Sequence, residues 1–368
     1  MQTLEIKLEN ASYPVYLGPR LLTETAVWRT HLGAGKVLVV SNEAVASRYL
    51  AGLHACLSDW DVATHIIPDG EQYKTQATWS GIIDQLVRMR ARRDATIIAL
   101  GGGVVGDLSG FAAASFMRGI QFIQAPTTLL AQVDASVGGK TGFNHPAGKN
   151  LVGAFHQPIA VMIDTDTLKS LPVREFRAGL SEVVKYGAIM DAALFEWLET
   201  STDAINSRHT DALLHLIGQS VMNKARIVSA DEREGGIRAI LNFGHTFGHA
   251  LETLTGYTDF LHGEAVAAGM VVAARLSELR GLCPSGISER IRRLLQALDL
   301  PVELPPAITA ESLYEAMQLD KKAVVSGSRL ILLAALGEAL IDSRSSREEI
   351  LAAISSCRSN EAESSQGT

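Results

Sequence analysis

A chain of 368 residues is long enough for about two domains. Its net charge of −7 argues against generic nucleic-acid binding, which demands a basic surface, so any phosphate site must be a local cationic cluster. Hydrophobic content of 47% with 6% aromatic residues describes an ordinary globular enzyme, and no apolar run reaches the ~18 residues of a membrane span.

The first half alternates strands and helices. Residues 2–8 and 13–17 read as paired strands around Glu9-Asn10-Ala11-Ser12. Lys36-Val37-Leu38-Val39-Val40 is a buried strand, followed by a helix over 43–58. Thr64-His65-Ile66-Ile67 is a short strand, and 75–90 has helical periodicity. Ala95 to Leu100 is the strongest strand signal, with further strands at 122–125 and 160–163. This alternation predicts a Rossmann-like α/β domain with a mostly parallel sheet over 1–171.

After Leu171-Pro172 the pattern changes. Helices are predicted at 175–200, 204–230, 242–256, 262–280, 286–298 and 310–319, punctuated by Gly and Pro. An all-α domain over 172–357 is therefore expected, and the polar residues 358–368 read as a disordered tail. Cys56, Cys283 and Cys357 are far apart and fit no zinc-finger or disulfide framework, as in a reducing cytosol. Met1 to Lys7 lacks the apolar core of a signal peptide, so a cytoplasmic location is expected.

Gly101-Gly102-Gly103-Val104-Val105-Gly106-Asp107 follows the strongest strand and opens a helix. Glycines there let a backbone approach a pyrophosphate at a helix N-terminus, but they also serve a plain strand–helix turn. No acidic residue ends a following strand about 20 residues on, so the ribose of a dinucleotide would be held elsewhere, with Asn42 or the loop from Asp69 to Lys74 as candidates. A second polar cluster runs through Pro126-Thr127-Thr128, Asp134 to Gly142 and Gly148-Lys149-Asn150. Its Gly-Gly-Lys-Thr resembles the end of a P-loop, but Asp134 stands where the upstream glycine belongs, which excludes that ATPase motif. The lysines suit either a phosphate or a solvated loop.

The most informative stretch is Leu241-Asn242-Phe243-Gly244-His245-Thr246-Phe247-Gly248-His249-Ala250, with Leu261-His262-Gly263-Glu264 after it. His245 and His249 are four apart and share a helix face. They can be two ligands of one ion, or one ligand and one acid/base group, and spacing alone does not name a third protein ligand. Gly244, Gly248 and Gly263 beside the histidines leave room for a ligand or for a close backbone.

Taken together, in order and spacing, these segments resemble the 3-dehydroquinate synthase family of sugar-phosphate cyclases. The marks include Asp69-Gly-Glu-Gln-Tyr-Lys74, Leu100 to Asp107, Pro126 to Leu130, Asp134 to Thr141, Gly148-Lys-Asn150, Glu182-Val-Val-Lys-Tyr-Gly187, Gly244 to Ala250, Leu261 to Glu264 and Asp320-Lys-Lys322. The resemblance covers about residues 2–357.

It implies conversion of 3-deoxy-D-arabino-heptulosonate 7-phosphate to 3-dehydroquinate and phosphate, by transient oxidation, phosphate elimination, re-reduction and aldol cyclisation. It implies catalytic NAD+ and one divalent metal, Zn2+ or Co2+, on Glu182, His245 and His262, with His249 facing substrate. Lys140, Asn150, His249, Lys185 and Glu234 are the implied catalytic residues. Arg118, Asp134, Lys149, Lys224, Arg238, Asn242 and one of Lys321 or Lys322 would bind substrate. NAD+ would be held by Asn42, Asp69, Glu71, Lys74, Gly102, Gly103, Asp107, Thr127, Thr128, Lys140, Lys149 and Glu175. Arg118 would reach a neighbouring subunit's phosphate site, which implies a homodimer. The implied partner is a small molecule, with neither nucleic acid nor membrane.

The competing expectations are another sugar-phosphate cyclase such as 2-deoxy-scyllo-inosose synthase, a metal-dependent polyol dehydrogenase, and a non-catalytic NAD-binding module. A carboxylate pocket of Lys224, Arg238 and Asn242 favours a carboxylated substrate over the first. Stoichiometric release of NADH would mark the second, and the third needs no complete metal triad.

Overall fold

The computed structural model describes residues 1–8, 11–256, 258–322 (backbone alone for 319–322) and 329–358. They fall into two compact units, one made of Met1–Pro172 with Arg208–Arg233, the other of Val173–Ser207 with the remainder from Glu234.

Among the described residues, the first unit contains nine strands. They are β1 (Gln2–Lys7), β2 (Ser12–Gly18), β3 (Val37–Asn42), β4 (Val62–Ile67), β5 (Thr96–Gly101), β6 (Gln121–Pro126), β7 (Lys140–His145), β8 (Gly148–Phe155) and β9 (Ala160–Asp164). Seven form one sheet in the order β1-β2-β9-β6-β5-β3-β4. Only the β1–β2 pairing in it is antiparallel. Its helices include α1 (Thr25–Arg29), α2 (Glu43–Cys56), α3 (Gln76–Arg88) and α4 (Gly103–Ser115).

Every residue of β3, β5 and β9 is buried, as expected of parallel strands covered on both faces. The pleat sorts their side chains. Leu38, Val40, Ile97, Ala99 and Phe122 pack with Ile82 and Leu86 of α3 and with Leu108 and Ala112 of α4. Val37, Val39, Ile98, Leu100 and Ile123 pack on the other face with Trp28 of α1 and Leu53 of α2. Each Val, Leu, Ile or Phe among them contributes about 1.5–3 kcal/mol on burial.

From β3 the chain crosses through α2 to β4 on one side, and from β5 through α4 to β6 on the other, while β3 and β5 are themselves neighbours. The carboxyl ends of β3 and β5 therefore flank a topological switch point, where open α/β sheets bind ligands.

The glycine- and lysine-rich stretch after Asp134, expected as a loop, contains the antiparallel hairpin β7–β8, pairing Lys140 with Phe155 and Gly142 with Gly153. This pairing requires glycine at both of the latter positions. A Cβ on Gly142 would lie 2.3 Å from the Val152 carbonyl oxygen, and one on Gly153 2.1 Å from that of Thr141. Phe143 anchors the hairpin by packing against Trp79 and Phe111.

The second unit is helical: α5 (Val173–Met190), α6 (Ala192–Thr200) and α7 (Thr202–Asn206) come first. Asp191 divides the expected 175–200 helix by capping α6 through the Leu194 N–H at 3.0 Å. The chain then forms α8 (Thr210–Ala230), which belongs to the first unit. This corrects the expectation that everything after residue 171 forms one domain. The apolar face of α8 covers the β1–β2 edge: Gly218 lies against Leu17, and Ser229 Oγ donates to the Lys7 carbonyl.

The second unit resumes with α9 (His245–Leu254), α10 (His262–Leu279), α11 (Ile287–Ala297) and α12 (Ala310–Lys322). It closes with the hairpin β10 (Leu330–Ala335) and β11 (Glu338–Asp342), then α13 (Arg347–Ser356). The hairpin departs from an all-helical reading; its strands β10 and β11 turn through Gly337 at φ 82°. Of the predicted tail, Arg358 bridges Leu304, and residues 359–368 lie outside the described residues. Among the described residues, no helix is long and apolar enough to cross a membrane.

Candidate active site

Two close-packed helices build the centre of the second unit. Left-handed Gly244, at φ 81°, starts α9 on His245 rather than on Asn242, and His249 follows one turn later. His262 is the first residue of α10. The three imidazole centroids are 5.2 to 5.8 Å apart. The neighbouring glycines serve backbone approach. A Cβ on Gly248 would meet the Ala265 carbonyl at 3.0 Å, one on Gly269 the Gly244 carbonyl at 2.2 Å, and one on Gly263 the Ala178 carbonyl of α5 at 1.9 Å.

That approach brings in Glu182 and Lys185 of α5, both almost fully buried and paired as ions. His245 Nε2 lies 3.7 Å from Glu182 Oε1. One ligand atom each from Glu182, His245 and His262 lies within 4.8 Å of the others. A second trio, His249, Glu252 and His262, meets the same distance.

Burial strips hydration from His245 and, with the charges of Lys185, His262 and His249, holds its pKa well below the ordinary value. A neutral imidazole with a free lone pair results. Lost hydration also disfavours the proton on His262, but its hydrogen bond to Glu252 and the charges of Glu252 and Glu182 outweigh that and hold its pKa above the ordinary value. Both carboxylate oxygens of Glu182 are buried; Oε2 meets the Lys185 ammonium, and Oε1 has no hydrogen-bond partner. A buried carboxylate with one oxygen unpartnered, beside two imidazoles, fits a divalent cation of the zinc or cobalt type.

Two further residues hold the start of α10. Glu264 Oε2 accepts the Leu261 N–H at 2.8 Å, and Arg174 grips both Glu264 oxygens at 2.7 Å while donating to the Asp259 carbonyl at 2.6 Å. Neither had a role in the sequence reading, nor did Glu252. The spacing of Glu252, three after His249 and seven after His245, was the available signal.

In the first unit the expected nucleotide residues gather at the carboxyl ends of the strands. Asn42 caps α2 by accepting the Val45 N–H at 2.9 Å and donates to Asp69 Oδ1 at 2.7 Å. Gly102 and Gly103 open α4, and a Cβ on Gly102 would touch the Thr128 methyl at 3.2 Å. Thr127 donates its N–H to Gly101 at 3.0 Å, and its buried hydroxyl has no hydrogen-bond partner. Thr128 Oγ1 accepts the Ala131 N–H at 3.2 Å. No side chain caps the start of α4, and helix N-termini of this kind suit a phosphate.

Buried Lys74 donates to Asp107 Oδ2 at 2.5 Å and to Asn150 Oδ1 at 2.6 Å. Asp107 has its pKa raised by lost hydration, which Lys74 opposes. Glu71 accepts from Asn144, which in turn accepts the Asn150 N–H at 2.9 Å. Asn150 itself is left-handed at φ 54°. A cavity of about 710 Å³ opens beside this network, lined by Glu71, Lys74, Phe143 and His145. Elsewhere in the unit, Lys224 pairs with Asp134 through its carboxylate at 2.7 Å and its carbonyl at 2.6 Å.

The remaining expected residues divide between the two units. Arg118, Lys140 and Lys149 are exposed on the first unit, Arg118 in a left-handed turn at φ 70°. On the second, Glu234 and Asn242 are exposed, Arg238 is buried, and Glu175 lies in the first turn of α5. Lys321 and Lys322 end α12, and their side chains lie outside the described residues.

Two family models match: 3-dehydroquinate synthase N-terminal over residues 64–178, and 3-dehydroquinate synthase C-terminal over residues 179–323. The 3-dehydroquinate synthase of Teredinibacter turnerae is 51% identical over 342 residues, which cover 93% of this chain and 95% of the relative. That of Halorhodospira halophila is 52% identical over 341 residues, with the same coverage. Among solved structures, 2-epi-5-epi-valiolone synthase from Streptomyces hygroscopicus with NAD+ and Zn2+ bound has a TM-score of 0.86 and 31% identity, over 95% of this chain and 98% of that one. A 2-deoxy-scyllo-inosose synthase complexed with carbaglucose-6-phosphate, NAD+ and Co2+ also has a TM-score of 0.86, at 26% identity over 96% of this chain and 99% of that one. A glycerol dehydrogenase from Schizosaccharomyces pombe, at 19% identity and a TM-score of 0.68, shares the fold alone. With identities above one half over nearly its whole length, the chain belongs to the 3-dehydroquinate synthase family.

Proposed function

We propose that this chain converts 3-deoxy-D-arabino-heptulosonate 7-phosphate to 3-dehydroquinate and phosphate, a carbon–oxygen lyase reaction of the shikimate pathway. The observation that carries this is the convergence of Glu182, His245 and His262, in a chain just over half identical to enzymes of that name. When bound, NAD+ supplies hydride acceptance and return, and a divalent cation, Zn2+ or Co2+, supplies Lewis-acid polarisation of a substrate oxygen.

The chain's own residues do the rest. Glu182, His245 and His262 hold the cation, and Lys185 orients Glu182 by pairing with it. His249, on the same face of α9 as His245, exchanges protons with substrate. Lys140, Asn150, His249 and Arg118 surround the phosphate, Lys149 adds a further substrate contact, and Lys224, Arg238 and Asn242 bind the carboxylate, since several cations suit a doubly anionic substrate. Asp134 holds Lys224 in place. Glu234 serves as a further acid/base group, and one of Lys321 or Lys322 completes the pocket. Asn42, Asp69, Glu71, Lys74, Asp107, Thr127, Thr128 and Glu175 hold the nucleotide, with its pyrophosphate at Gly102 and Gly103. The switch point and the unpartnered Thr127 hydroxyl support this placement.

The test is to supply the heptulosonate phosphate with substoichiometric NAD+ and Zn2+. Phosphate and 3-dehydroquinate should form in large excess over NAD+, with no net absorbance at 340 nm. Stoichiometric NADH without phosphate release would mean a polyol dehydrogenase instead.

The active unit is proposed to be a cytoplasmic homodimer, with Arg118 serving the partner's site. Its exposed, left-handed turn and the three free thiols support this. Mixing inactive Arg118→Ala and His245→Ala proteins should restore part of the activity. No recovery despite demonstrated subunit exchange would place Arg118 in its own subunit's site.

A further inference from the structure

We propose that Glu252 is a positioning residue for His262: its carboxylate accepts the Nδ1–H and so leaves the Nε2 lone pair for the cation. This rests on the metal-centre reading above. Glu252 is 4% exposed and lies on α9, on the face that carries His245 and His249. Its Oε2 is 3.3 Å from His262 Nδ1. His262 stands at the very start of α10, with 36% of its side chain exposed, so helix packing does not by itself fix the ring. A carboxylate on one ring nitrogen sets both the tautomer and the direction of the other nitrogen.

The same distances allow a rival arrangement in which Glu252 itself joins His249 and His262 as a ligand. The positioning role is favoured by the bond itself: His262 Nδ1 is engaged by Glu252, which leaves Nε2 to join Glu182 and His245 around a cation.

Cobalt binding to metal-free protein separates these roles without using turnover. Wild type, Glu252→Gln, Glu252→Asp and Glu252→Ala are titrated with Co2+ against a chromophoric chelator, and the visible spectrum of the bound ion is recorded. Thermal melts of each metal-free protein establish folding. The amide oxygen of Glu252→Gln still accepts the Nδ1–H, so affinity should stay within a few-fold of wild type and the spectrum should be unchanged. Glu252→Ala should bind about 10–100-fold more weakly, still at one ion per chain. Glu252→Asp, which withdraws the carboxylate by one methylene, should also weaken binding, and it carries the comparison should Glu252→Ala fail to fold. Equal affinity in all folded variants sinks the proposal, while wild type still binding metal leaves the metal centre standing. A Glu252→Gln protein as weak as Glu252→Ala or Glu252→Asp, with an altered cobalt spectrum, makes Glu252 a ligand and overturns it too. Wild type that binds no cobalt removes both readings.

Discussion

Lys74 and Asp107 form a largely buried ion pair, Nζ to Oδ2 at 2.5 Å, and the same ammonium holds the Asn150 amide at 2.6 Å. One cation thus ties the loop after β4 to helix α4 and to the β7–β8 hairpin. Lys74→Met should remove that tie and leave Asp107 without its charge partner. Losing one partner of a buried pair costs about 3–5 kcal/mol, and the partial exposure of Asp107 puts the expected loss near the lower end. Urea unfolding at pH 7 measures it, and adding Asp107→Asn to Lys74→Met should recover part of the loss. A variant as stable as wild type would mean that the pair is not kept in solution.

His245→Ala and His249→Ala should separate by metal content. The first should lose its zinc by elemental analysis. The second should keep zinc and lose about 10²–10⁴-fold in turnover, the usual worth of a general acid or base. Equal zinc loss in both variants would contradict the ligand assignment.

Gly263→Ala tests whether the glycines beside the histidines serve backbone contact. The added methyl would lie 1.9 Å from the Ala178 carbonyl oxygen, so α10 must move away from α5. Overpacking of this kind typically costs about 1–3 kcal/mol. The melting temperature should fall, and zinc affinity should fall with it, since Glu182 and His262 ride on the two helices. Gly256→Ala, with nothing within 4 Å of the new atom but φ at 64°, should cost only its backbone strain and leave zinc affinity unchanged.

Asp342 gives a pH signature. Burial works against its charge, but bonds from Ser345, Arg280 and Arg344 win and hold its pKa below the ordinary 3.8. A depressed carboxylate stabilises the fold fully above the unfolded value and loses that contribution as pH falls through the folded one. Asp342→Asn should therefore cost about 1–3 kcal/mol at pH 7, and the gap to wild type should narrow at pH 3. A constant gap in urea titrations at the two pH values would refute the assignment.

Burial pushes the Cys283 thiol up to about 11. At pH 8 the native protein should label there about a hundred-fold more slowly than a free thiol, because the thiolate is the reactive form. Mass spectrometry after timed alkylation reads this directly.

Local signals in the chain marked β3, β5 and β9, because unbroken apolar runs such as Val37-Leu38-Val39-Val40 fit a strand covered on both faces. They also marked the glycine turn into α4 and the histidine segment. Resemblance to a family supplied Glu182, which spacing had left unnamed. What the residues did not reveal is what each buried face is buried against. The amphipathic pattern of α8 requires a cover, yet only the fold shows that the cover is β1 and β2. Gly142 read as a loop glycine, because the backbone contact that demands it comes from a strand paired across a hairpin. Glu252 was not singled out, and Lys74 marked a candidate nucleotide loop without its partners Asp107 and Asn150, for the same reason. Periodicity records which side chains leave water, a property of the local chain. Which partner meets a carboxylate or an ammonium at about 3 Å depends on how distant segments pack, and the tertiary structure alone decided that.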